Sequence, residues 1–210
     1  MHPETLSKET VEVLHKIKDS VSGFYLAGGT ALALELGHRI SIDLDFFSAG
    51  QFSIQQLVAV LKDFGHLEIS SQDKDTLNGV LDEVKISFFR YPYGLMFPVR
   101  EYNGVHLADE RDIAAMKILA ASDRGSKKDF VDIFILLKQY SLDEIIRFFK
   151  DKYVGCNYNM LHIMKSLTYF TDADEDVDPI YVHTISWDDV KKKIKEVVDQ
   201  YTQAHTSTTI

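Results

Sequence analysis

The chain has 210 residues, 45% of them hydrophobic and 26% charged, with a formal net charge of −9. That suits a folded globular protein with one good core, or a core and a smaller second unit, and it argues against a broad, nonspecific nucleic-acid surface, which needs clustered Lys and Arg. No apolar run is long enough to span a bilayer, the amphipathic start MHPETLSKETVEVLHKIKDS lacks a signal-peptide core, and the single cysteine, Cys156, excludes an intrachain disulfide or a multi-thiolate zinc site. A cytoplasmic protein without membrane contact is expected, with Cys156 a small buried hydrophobe.

Along the chain, Thr5 to Ser20 carries apolar residues at helical spacing. Phe24 to Ala27 is a short apolar run that ends at Gly28-Gly29, as a buried strand would. Thr30 to Leu36 is rich in helix formers, and Gly37 can end that helix. Ile40, Ile42, Leu44 and Phe46 then alternate with Ser41, Asp43, Asp45 and Phe47, the period of a strand. Ser53 suits the N-cap of a helix from Ile54 to Phe64. Strands are expected at Leu67 to Ser71, at Thr76 to Leu81 and Val84 to Arg90 around an Asp82-Glu83 turn, and at Val105 to Leu107.

From Asp109 the pattern is helical. Asp109 caps a helix to about Ser122, and Ser126 opens another to about Tyr140, with Asp129 at capping-box spacing. Ser141 caps a third, Asn157 or Asn159 opens a fourth, and Ser186 caps a last helix to about Thr202. TDADEDVDP reads as an acidic loop and the tail AHTSTTI as loose. Strands in the first half and helices in the second mean an α+β protein, divided near Leu107 to Arg111.

Two features carry chemistry. Asp43 and Asp45 stand two apart on the expected strand, so both leave one face. Like charges that close suit a bound cation such as Mg²⁺, which takes carboxylates and substrate phosphates; the plain alternative is a solvated strand face. Gly28, Gly29 and Thr30 stand between a strand and a helix N-terminus, where backbone N–H groups favour an anion. The plain alternative there is a structural turn, with Thr30 capping the helix. Further on, Lys117 and Arg124 are seven apart, on one helical face, and Asp132 lies mid-helix between apolar Val131 and Ile133. Local positive clusters occur at Arg124, Lys127 and Lys128 and at Lys191, Lys192 and Lys193. Tyr91, Tyr93 and Phe97 could stack a base or anchor a loop.

GGTALALELGHRISIDLDFF resembles the signature of the AbiEii/AbiGii toxin family of nucleotidyltransferases, within the DNA polymerase β-like superfamily. Gly28, Gly29, Thr30, Asp43 and Asp45 fall on its pattern, as do His38-Arg39 and Ser41. KISFFRYPYGL and KILAASDRGSKKDFVDIFILL are similar to later family blocks, the second placing Lys117, Arg124, Asp129 and Asp132. The resemblance spans roughly residues 20 to 200.

It implies a nucleotidyltransferase core over residues 1–108, a mixed sheet flanked by helices, with a helical domain over 109–210 completing the cleft. It implies transfer of a nucleoside monophosphate from an NTP to a hydroxyl acceptor, RNA such as a tRNA 3′ end, by a toxin with a cognate antitoxin. Mg²⁺ or Mn²⁺ would sit at Asp43 and Asp45. Gly28, Gly29, Thr30, Arg39, Lys85 and Arg124 would hold phosphates, and Lys117 and Asp132 would join the aspartates in catalysis. One departure stands out. The superfamily commonly has a third carboxylate on the strand after Asp-x-Asp, where this chain has Ser87. That departure motivates a rival, a degenerate fold that only binds a nucleotide or protein, and a kinase-like γ-phosphate variant also fits the fold. A haloacid-dehalogenase reading of Asp-Leu-Asp is disfavoured by Phe47, where that motif wants Thr or Val.

Overall fold

Seven strands hydrogen-bond into one mixed sheet in the order β3-β4-β5-β2-β1-β7-β6. They are β1 Tyr25–Leu26, β2 Leu44–Ser48, β3 Leu67–Gln72, β4 Thr76–Leu81, β5 Val84–Arg90, β6 Arg100–Tyr102 and β7 Val105–Leu107. This computed structural model describes residues 1–206. The chain divides into two compact units, residues 1–110, which hold the whole sheet, and residues from Arg111 onward. The architecture is α+β, a mixed sheet with helices followed by a helical half.

In the first unit α1 (Lys8–Ile17) is capped by Ser7, whose hydroxyl accepts from Thr10 N–H at 3.1 Å. It buries Val13, Leu14 and Ile17 at helical spacing. α3 (Ile54–Phe64) is capped by Ser53 in the same way. Both helices contact the β3–β5 part of the sheet. There the strands alternate, with Leu44, Phe46, Leu77, Leu81, Ile86 and Phe88 buried and Asp45, Asn78 and Ser87 only partly so. The β4–β5 hairpin turns at Asp82 and Glu83, with φ of 46° and 69°. A second hairpin, β6–β7, turns at Asn103-Gly104 with φ of 50° and 84°. Asn-Gly is the strongest short-range hairpin signal, and the sequence reading passed over it.

The strand expected from Ile40 begins four residues later. Ser41 N–H donates to Thr5 C=O at 2.9 Å, Thr10 Oγ1 donates to Ile42 C=O at 3.5 Å, and Thr30 Oγ1 donates to Asp43 C=O. With its backbone groups satisfied this way, residues 41–43 stay out of the ladder. Ile42, expected to be inward, is 55% exposed.

In the second unit α4 (Glu110–Asp123), α5 (Lys127–Leu136), α6 (Leu142–Lys152), α7 (Met160–Leu167), α8 (Thr171–Glu175) and α9 (Trp187–Thr206) follow one another, with α9 packed on α5, α6 and α7. Phe130, Phe170 and Trp187 form an aromatic knot, with centroids 4.8 to 6.1 Å apart. The expected acidic loop is in part the short helix α8. The capping box lies at Ser141–Glu144, where both reciprocal bonds form. Ser126 makes no side-chain cap, because its hydroxyl donates to Asp129 Oδ2 at 2.8 Å. Residues 204–206 of the expected loose tail continue α9, and 207–210 lie outside the described residues. Cys156 is only half-buried.

α2 (Gly28–Leu36) ends at Gly37 and buries Glu35 in the first unit. Arg100 bridges it to Asp109, with Nε 3.5 Å from Glu35 Oε1 and Nη2 3.8 Å from Asp109 Oδ2. Burial pushes the Glu35 carboxyl up to about 7, against the pull of Arg100 and with the like charges of Glu110 and Asp109 adding to it. A carboxyl raised on folding stabilises below its unfolded value, and that contribution is lost as pH rises through about 4.5 to about 7. The melting temperature should therefore fall between about pH 5 and about pH 8, and Glu35→Gln should reduce the fall by roughly 3 °C or more in a thermal-melt series.

Candidate active site

The turn from β1 into α2 is built around a close approach. Gly28 has φ +67°, and a Cβ there would lie 3.1 Å from Asp45 Oδ2. Glycine meets both demands, a left-handed backbone and room for a carboxylate. A Cβ on the next residue, Gly29, would collide with Arg39 Nη2 at 2.0 Å, so the guanidinium lies directly against the turn. Arg39 is buried and donates to Ile40 C=O and to Ser41 Oγ, each at 3.3 Å. Thr30 is buried as well. Its hydroxyl is 2.8 Å from Ser41 Oγ and bonds to the Asp43 carbonyl, tying the first turn of α2 to the residues that lead into β2.

Asp43 immediately precedes β2 and Asp45 is its second residue. Ala27 N–H donates to Asp45 C=O at 3.0 Å, which fixes β2 beside the glycine turn. Ala27, the N-cap of α2, offers no side-chain cap. The positive end of the helix and the buried Arg39 therefore stand beside a carboxylate. In the parallel β2–β5 pair, Asp45 is registered with Ser87, the position at which a third carboxylate was expected. Lys85 is exposed two residues before Ser87 and so on the same face of β5.

Among the described residues no group of three or more His, Cys, Asp or Glu is arranged to hold a metal ion. The Asp45 carboxylate at an anion-attracting helix terminus, with Asp43 two residues before it, suits one kind of metal. Mg²⁺ keeps several waters and binds through one or two carboxylates plus substrate phosphates.

The other site residues read from the sequence fall in the second unit. Lys117 on α4 is buried and contacts Asp129 Oδ1 at 2.9 Å and Asp132 Oδ2 at 2.6 Å. Arg124, with a side chain 67% exposed, reaches the same Asp129 with Nε at 2.8 Å and Nη2 at 3.1 Å. Asp129 thus takes Lys117, Arg124 and Ser126 at once. Burial alone would raise its carboxyl, and the Lys117 ammonium with the Arg124 guanidinium outweigh that and hold it well below the usual carboxylate range. Its capping-box spacing to Ser126 had hidden this hub. A second buried pair, Lys152–Asp112 at 2.7 Å, has no local sequence signal.

The basic clusters are largely neutralised. Lys127 is buried, donates to Asp176 C=O at 2.5 Å, pairs with Asp178 at 3.2 Å and lies 5.5 Å from the Trp187 ring. Lys191 pairs with Asp174 at 2.9 Å. The acidic TDADEDVDP segment is therefore a clamp on the unit's own lysines.

Removing one partner from a buried ion cluster leaves charge uncompensated. Asp129→Asn should cost about 3 kcal/mol in urea unfolding, and a loss below about 1 kcal/mol would show that Asp129 is no hub.

The model of the nucleotidyl transferase AbiEii toxin family, of type IV toxin–antitoxin systems, matches residues 18–107. An uncharacterized protein of Aquifex aeolicus (strain VF5), aq_aa25, is 38% identical over 211 residues, spanning 93% of this chain and 97% of that one. The crystal structure of JHP933 from Helicobacter pylori superposes with a TM-score of 0.57 at 17% identity, over 96% of this chain and 97% of that one. A provisionally named nucleotidyltransferase from H. pylori gives 0.59 at 15% identity, over 94% and 96%. At such identities the two structures attest the fold. No helix among the described residues is long and apolar enough to cross a membrane. Residues 18–107 belong to the AbiEii family of nucleotidyl transferase toxins, which makes the chain an enzyme of the nucleotidyltransferase class.

Proposed function

We propose that this protein moves a nucleoside monophosphate from an NTP to a hydroxyl of RNA, such as a tRNA 3′ end. In this reading it works in the cytoplasm with Mg²⁺ or Mn²⁺, restrains growth, and is held in check by a cognate antitoxin protein. The observation that carries the reading is the approach of Asp45 to Gly28 at the uncapped start of α2, with Arg39 buried behind Gly29. An anion-attracting helix end beside the Asp43-x-Asp45 segment gives a phosphate and a carboxylate-bound cation a place to meet.

Asp43 and Asp45 would hold the metal, which when bound neutralises phosphate oxygens and polarises the reacting phosphorus. The first amides of α2 donate to phosphate oxygens. Arg39, locked against the turn, adds fixed positive potential and needs no reorganisation during the reaction. Thr30 is occupied by Ser41 and the Asp43 carbonyl, so its part is to hold the turn and the aspartates together. Lys85 supplies an exposed ammonium beside Ser87 for phosphate oxygens. Lys117 and Asp132 enter the proposal as catalytic residues and Arg124 as a phosphate ligand, on the resemblance and on their chemistry. The acceptor oxygen bonds to the α-phosphorus as the bond to the leaving pyrophosphate breaks, a transfer that depends on positioning and charge.

The test is incubation with Mg²⁺, total RNA and each NTP labelled at the α- or γ-phosphate. The α-label should appear on RNA, and Asp43→Asn or Asp45→Asn should lower transfer about 100-fold or more. Label only from the γ-position would point to a kinase-like transfer. Nucleotide binding without transfer would point to a degenerate site, and full activity in Asp43→Asn would sink the metal assignment.

A further inference from the structure

The sheet of the first unit has two aromatic layers. Phe46 and Phe88, registered across β2 and β5, are fully buried and stack at 5.0 Å. Their chain neighbours Phe47 and Phe89 point to the opposite face, because side chains alternate along a strand. They are registered with each other, lie 5.2 Å apart, and are only half-buried. Tyr25, registered with Phe47 on β1, extends the row at 5.9 Å with rings inclined by 20°. Tyr91 stands 5.4 Å from Phe47 on its edge.

A polar row runs beside this aromatic one on the same face. Asp45 is registered with Ser87, Ser87 with Asn78, and Asn78 with Ser71, to which its Nδ2 donates at 3.0 Å. Asp45 is two residues before Phe47, and Ser87 two before Phe89. The aromatic row is thus one pleat repeat, about 7 Å, from the carboxylate of the candidate site and continuous with it. A core role accounts for Phe46 and Phe88. It does not account for a second aromatic pair kept half-open beside a polar lane.

We propose that Phe89, at the β5 end of this row with its inner face packed on Phe47, offers its outer face as a stacking platform for the terminal nucleobase of the acceptor strand, with Ser87 and Asn78 facing its sugar. This rests on the transfer reading above. The acceptor is favoured over the NTP base by position. The glycine turn, which would take the phosphates, adjoins Asp45 from the β1 side, whereas Ser87, Asn78 and Phe89 lead away from it across β5 and β4. Stacking on aromatic faces tolerates any base and suits a single-stranded end.

The test uses the full chain and a short single-stranded RNA carrying the fluorescent base 2-aminopurine at its 3′ end, without NTP, so that it reads stacking and not turnover. The wild type should quench the probe. Phe89→Leu should weaken binding about tenfold and relieve the quenching, while Phe89→Tyr restores both. Equal melting temperatures for the three proteins would keep the comparison clear of folding. In a second arm, 2-aminopurine riboside triphosphate should bind wild type and Phe89→Leu alike. The inference is overturned if Phe89→Leu binds and quenches the RNA like wild type, if Phe89→Tyr fails to rescue, or if only the triphosphate arm responds. Because no transfer is measured, RNA quenching without α-label transfer would count against the proposed reaction and leave the platform standing.

Discussion

A single methyl group at Gly28 would stand 3.1 Å from Asp45 Oδ2, on a backbone whose φ of +67° L side chains rarely adopt. Much of the first unit serves to make that close approach. Thr30 bonds the carbonyl of Asp43, Ala27 bonds the carbonyl of Asp45, and Ser41 N–H is taken by Thr5 from the segment before α1. These bonds come from two separate parts of the chain, the turn into α2 and the segment before α1. Together they fix the Asp45 carboxylate at the start of α2 and the Asp43 backbone beside it. Arg39 against Gly29 adds a guanidinium whose place is set by burial rather than by solvent.

Several parts of this were legible in the sequence. The glycine pair after β1 and the Asp82-Glu83 turn each obey a local rule and stand where that rule puts them, whereas Asp43, read as sharing a strand with Asp45, lies just before β2. The start of β2 did not, because alternation over Ile40 to Phe47 says nothing of what else can bond a backbone. The backbone groups of Ser41, Ile42 and Asp43 are satisfied by Thr5, Thr10 and Thr30, residues 13 to 36 positions away. Tertiary hydrogen bonds overrode the strand period there.

The second unit shows the same limit with charges. Ser126 and Asp129 have capping-box spacing, yet Asp129 is taken by Lys117 from another helix and by Arg124. A buried carboxylate with two cations available gains more from charge-assisted bonds than from a helix terminus. The runs of lysine that suggested a basic surface are partly consumed by the acidic segment that looked like a solvated loop, through Lys127 and Lys191. Local charge runs were a poor guide to the surface there. Neither spacing nor composition could have paired Lys152 with Asp112.

The central claim is that the two aspartates and the glycine turn hold a metal and a triphosphate together, each incomplete without the other. Titrating Mn²⁺ into the protein with and without a non-hydrolysable NTP, followed by electron paramagnetic resonance, tests this directly. The account predicts tight Mn²⁺ binding at about one site per chain only when the nucleotide is present, lost in Asp45→Asn. Mn²⁺ binding that is independent of nucleotide, or unchanged in Asp45→Asn, would contradict it.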